Sequence, residues 1–130
     1  MIDHVTFGIR DFQRSVDFYD RAFAPLGVSR LFEVPLEHTG GVRIAGYGSD
    51  RPWFWIAEER ATRGMLHIAL QAPDRSSVDA FHATSIAAGG SDNGAPGLRP
   101  HYHADYYGAF VLDPDGHNIE AVCHLPEVSQ

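Results

Sequence analysis

The sequence predicts an α+β domain in which one strand–helix–strands unit is used twice. Three observations support this. His4 and His67 lie 63 residues apart in near-copies of one strand, Ile2-Asp3-His4-Val5-Thr6-Phe7 and Met65-Leu66-His67-Ile68-Ala69-Leu70, and Asp11 and Asp74 share that offset. Ser15-Val16-Asp17 recurs as Ser77-Val78-Asp79, 62 residues on. Glycines close the following segment in both places, at Gly27 and at Gly89-Gly90. Self-similarity at a fixed spacing marks a duplicated supersecondary unit. At 130 residues the chain has room for one core, so modules 1–60 and 61–130 are expected to share a single domain.

Each element follows from local pattern. Val5, Phe7 and Ile9 alternate with His4, Thr6 and Gly8, the period of a strand with two unlike faces. Asp11 can cap the next helix, where Phe12, Val16, Tyr19 and Phe23 form an apolar stripe. Pro25 and Gly27 stop it. Residues 30–36, 41–48 and 52–58 read as three β segments, divided by Pro35, Gly40-Gly41 and Asp50-Arg51-Pro52. In the second copy Leu66, Ile68 and Leu70 alternate with His67, Ala69 and Gln71. Asp74 or Ser76 then caps a helix carrying Val78, Phe81 and Ile86. Ser91 to Pro100, interrupted by Gly94, Pro96 and Gly97, reads as a loop where the repeat would place a strand. Tyr106–Leu112 and Asn118–His124 form a hairpin across Asp113-Pro114-Asp115-Gly116.

Composition narrows function by exclusion. The formal charge is −7, with acids and arginines interspersed, which argues against a nucleic-acid partner because phosphates require a basic face. The ten basic residues are all arginine, so no lysine can serve as Schiff base or general base. Cys123 stands alone, which rules out an intrachain disulfide and a cysteine-rich metal site. Without a leader or a bilayer-length apolar run, a cytoplasmic protein with no membrane partner is expected.

The duplication also predicts a site. His4, His67 and Glu120 each point away from the neighbours that pack on the helices, toward a face that a curved sheet turns into a cup. Two imidazoles and a carboxylate are the donors that hold a catalytic divalent ion while leaving positions open. If Gly116 aligns with Arg51, an offset of 65, the first-module counterpart of Glu120 is Trp55, and the protein ligands stay at three. On a simple hairpin register Phe110 faces Glu120, so Gly108 and Tyr106 share the cup side. Tyr106 could then donate a proton or hydrogen bond to substrate. By the repeat, Arg43 matches Gly108 and could clamp an anionic group. His103, with His101 just before it, could supply acid or base. Trp55 and Phe110 would line the cup as substrate contacts.

These residues resemble the glyoxalase, bleomycin-resistance and extradiol-dioxygenase superfamily, also called vicinal oxygen chelate proteins, over nearly the full chain. The most specific stretch is Phe110-Val111-Leu112-Asp113-Pro114-Asp115-Gly116-His117-Asn118-Ile119-Glu120. The resemblance implies two βαβββ modules forming a curved, partly open mixed barrel around a metal. It also implies a homodimer, since pairs of modules often come from two chains. His4, His67 and Glu120 match its metal-ligand positions, implying one divalent ion (Fe, Mn, Ni or Zn) that polarises adjacent oxygens of a small substrate. Departures matter. Glyoxalase I enzymes carry a fourth, glutamate ligand where this chain has Trp55. Fosfomycin-modifying members place a tyrosine ten residues before the glutamate, where this chain has Phe110, and use a lysine. The departures leave the chemistry open; a metal-dependent lyase or isomerase on a small carbonyl compound is the first choice, and ring-opening dioxygenase the second. The competing class is a metal-free, drug-sequestering protein of bleomycin-resistance type.

Overall fold

The computed structural model describes residues 1–127. Strand β1 (Val5–Ile9) leads into helix α1 (Phe12–Ala22), and strands β2 (Ser29–Glu33), β3 (Ile44–Gly48) and β4 (Pro52–Glu58) follow. The second module repeats the order with β5 (His67–Gln71), α2 (Arg75–Ala87), β6 (Ser91–Leu98), β7 (Tyr107–Leu112) and β8 (Asn118–Cys123). The result is two four-stranded mixed sheets, ordered β1-β4-β3-β2 and β5-β8-β7-β6, which are not closed into one.

Both helices start where their caps predict. The Asp11 side chain accepts from the Arg14 amide, and the Asp74 side chain accepts from the amide of Ser77. The stripe Phe12, Val16, Tyr19 and Phe23 is fully buried against Phe7, Tyr47 and Phe54. On α2 the buried positions are Val78, Phe81 and Ser85, while Ile86 is exposed. The inward stripe therefore runs through a serine rather than the apolar residue beside it. Each sheet has its helix on one side, and α1 and α2 pack on each other. The opposite face of each sheet carries none of the core helices.

Ser91–Leu98 is a strand, not the expected loop. It pairs with β7 through two register irregularities, at Asp92/Gly94 and Gly94/Gly97. Glycine and proline bend this edge strand without preventing its ladder.

The repeat holds at the level of register. Thr6 pairs with Trp55 in the parallel β1–β4 ladder, and Ala69 pairs with Glu120 in the parallel β5–β8 ladder. Trp55 and Glu120 thus occupy equivalent rungs. In the neighbouring ladders Gly46 faces Trp55 and Phe110 faces Glu120.

The modules are tied together at the β7–β8 turn. Tyr19 of α1 donates its hydroxyl to Asp113 at 2.6 Å and Arg10 pairs with Asp115 at 2.7 Å, while within the second module His117 faces the Thr62 carbonyl at 2.8 Å.

Candidate metal centre

Glu120 is buried to 1% exposure on the face of β8 that turns away from α2. A carboxylate placed there needs partners, and it has two. His67, at the start of β5, brings Nε2 to 2.8 Å from Oε1, and the Tyr106 hydroxyl donates to Oε2. Phe110 closes the side, its ring 5.8 Å from that of His67. Burial, followed by the hydrogen bond to Glu120 and its charge, raises the Tyr106 pKa well above the ordinary phenol value. Tyr106 is therefore a proton-bearing donor at neutral pH, not a base.

Clearance for this contact comes from Gly108. A Cβ there would stand 3.1 Å from Glu120 Oε2 and 3.2 Å from the Tyr106 ring. Gly108→Ala is expected to lower stability by about 1–3 kcal/mol through overpacking, measurable by urea unfolding.

His4 is not part of this cluster. It lies just before β1, exposed, with Nδ1 2.7 Å from Asp3, which in turn pairs with Arg51 at 3.1 Å. The hydrogen bond from His4, then Arg51, holds the Asp3 carboxyl below its usual pKa. His4 and Trp55 share a shallow depression on the outward face of the first sheet with Thr6, Val34 and Ile44. One chain thus brings His67, Glu120, Tyr106 and Phe110 together on one sheet, and His4 with Trp55 on the other. The Trp55 ring lies over Gly46, where a Cβ would come within 2.7 Å of it.

Arg43 requires a correction. Its guanidinium sits 4.1 Å above the Phe12 ring at the start of α1, not over the cup. Because Gly46 matches Phe110, the residue equivalent to Gly108 is Ile44, and an alignment one residue short reverses the face expected for Arg43.

His103 reaches Tyr106 rather than the carboxylate. Its Nδ1 accepts the Asp105 amide at 3.1 Å, so Nε2 carries the proton shared with His124 Nδ1 at 2.8 Å. Both imidazoles stand edge-on to the Tyr106 ring, 5.6 Å and 5.4 Å away. Tyr102 flanks the same ring at 4.7 Å.

Asp113, Asp115 and His117 also bring ligand atoms within 4.8 Å of one another. Their lone pairs are already committed. Asp113 Oδ1 accepts the amides of Asp115 and His117, and Oδ2 accepts Tyr19 and His117 Nδ1. His117 has an acceptor at each ring nitrogen, an arrangement that suits imidazolium. This cluster ties the turn and offers an ion little.

Residues 1–121 match the model of the Glyoxalase/Bleomycin resistance protein/Dioxygenase superfamily. The chain belongs to this superfamily. A glyoxalase/bleomycin resistance protein from Albidiferax ferrireducens T118 is similar at 32% identity and TM-score 0.71, over 95% of this chain and 98% of that one. Two more distant superfamily structures share the fold. Glyoxalase I from Zea mays matches at 22% identity and TM-score 0.69, over 94% of this chain and 45% of its own. A mutant of the genomically encoded fosfomycin resistance protein FosX from Listeria monocytogenes, complexed with Mn(II) and 1S,2S-dihydroxypropylphosphonic acid, matches at 17% identity and TM-score 0.68, over 94% and 88%. A search of curated proteins gives no match. No helix among the described residues is long and apolar enough to cross a membrane.

Proposed function

We propose that this superfamily member is a cytoplasmic, divalent-metal-dependent lyase or isomerase acting on a small substrate bound through adjacent oxygens. In this reading His67 and Glu120 of one protomer and His4 of a second copy hold the ion. The observation that carries it is the division of donors. His67 and Glu120 converge on the outward face of one sheet, and His4, the counterpart of His67 in the repeat, stands just before β1 of the other.

The donor set fits such an ion. His67 Nε2 and the buried Glu120 Oε1 stand 2.8 Å apart on the outward face, an imidazole nitrogen and a carboxylate oxygen of the kind such ions take. Bound there, Fe, Mn, Ni or Zn would supply Lewis-acid stabilisation of negative charge on the substrate. The chain's own groups supply the rest. Tyr106 offers a hydroxyl that keeps its proton, His103 and His124 hold its ring in place, and Trp55 and Phe110 provide apolar walls.

Mixing His4→Ala and Glu120→Gln protomers tests the arrangement. Neither homodimer is expected to retain metal. After exchange at equal amounts, half of the dimers are mixed, and one of the two sites in each is intact, so about a quarter of all sites should regain metal. No recovery, with exchange shown by mass, would overturn the shared site. Absence of metal from the parent protein would favour drug sequestration.

A further inference from the structure

We propose that Arg99 forms a carboxylate-binding subsite beside His67 and Glu120, so that the substrate carries an anionic group besides the oxygens that meet the metal. This deepens the functional reading above and rests on it. The Arg99 guanidinium lies over the Phe110 ring, 5.4 Å from its centre, and Phe110 is the residue opposite Glu120. Backbone carbonyls fix it. Nη1 donates to Gly97 O and Nη2 to Ala95 O, each at 2.8 Å. Those bonds use one hydrogen on each terminal nitrogen and leave three of the five guanidinium donors, including Nε, without a partner in the chain.

The irregular strand β6 is shaped around this side chain. A Cβ at Gly94 would lie 3.3 Å from Nη2 and 2.9 Å from the Phe110 ring, and one at Gly97 would lie 3.2 Å from Nη1. The glycines that obscure the strand in the sequence thus clear the notch that seats the arginine. Arg10, Arg30, Arg51 and Arg75 each have an acidic partner; Arg99, like Arg14, Arg21, Arg43, Arg60 and Arg63, pairs with no carboxylate among the described residues, and of these it is the one that lies over Phe110. A positioned cation stacked on the wall of the donor cluster, its charge unmatched in an acidic chain, is a receptor for an anion.

The test compares two probes on the full chain loaded with Mn(II): the monohydroxamate of succinic acid, which keeps a free carboxylate, and its uncharged amide. Calorimetry should find the acid bound about tenfold more tightly. Arg99→Gln should erase that preference without changing the amide's affinity or the Mn(II) content, and Arg99→Lys should restore part of it. Melting curves check that both variants fold. Equal affinity of the parent for the two probes, or a preference surviving in Arg99→Gln, would overturn the subsite. The metal-free protein gives a separate reading, in which succinate should shift the Arg99 Nε resonance. If Mn(II) fails to bind, the metal reading fails, and that resonance alone decides the subsite: a saturable shift supports it and an unmoved signal overturns it.

Discussion

Glu120→Gln is expected to reduce metal affinity by well over ~100-fold, more than the ~10–100-fold that loss of a supporting hydrogen-bond partner costs. The substitution keeps volume and removes charge. Oε1 faces His67 and Oε2 accepts from Tyr106, so an amide in that pocket turns a donor toward one of them and leaves no anionic ligand. Glu37→Gln, in the exposed turn after Pro35, should retain the parent's metal. Elemental analysis after dialysis, with apparent affinity from a competing chelator, measures both. Equal retention by the two variants would remove Glu120 from the ligand set.

The largest stability effect is expected at Asp113. Its buried carboxylate accepts from Tyr19, from His117 and from two turn amides. Asp113→Ala strands all four donors. With several buried donors left unpaired at about 1–3 kcal/mol each, the cost should be about 3–5 kcal/mol, and the Tm should fall by roughly 10 °C or more. The pH dependence has a definite sign. Burial pulls the His117 pKa down, but bonds to Asp113 and the Thr62 carbonyl, with the charges of Asp113 and Asp115, raise it above the ordinary histidine value. A raised folded-state pKa gives stability that is complete below ~6.5, the unfolded value, and is lost as pH climbs through the folded one. Urea unfolding between mildly acidic and mildly alkaline pH should show this loss in the parent. Asp113→Ala should lack most of it.

Much of the fold is legible in the sequence because the signals are local and periodic. Asp11 and Asp74 mark both helix starts, and alternation around His4 and His67 marks the two parallel strands. The pairing of Phe110 with Glu120 follows from the hairpin, and with it the face occupied by Tyr106. Other features depend on information that a single strand does not carry. β6 is hidden because its glycines serve a side-chain notch rather than a turn. Arg43 falls on the wrong face because period two makes a one-residue alignment slip a complete inversion. Arg99 escapes notice for the first reason and His103's link to His124 for a third, since long-range ring contacts have no sequence spacing. Nor does alternation reveal that His4 and the His67–Glu120 pair lie on separate, unclosed sheets.

The equivalent rungs held by Trp55 and Glu120 bear on how a duplicated unit diversifies. What the two halves retain in common is an addressing scheme: strand partner, rung and face. The occupants of an address can change without altering it. An indole over a glycine at one and a carboxylate against a tyrosine at the other are incompatible chemistries on the same backbone. Symmetry in this chain therefore resides in coordinates rather than in residues. That permits the halves to diverge, one seating an indole and the other a buried carboxylate, while neither has to relearn how to fold.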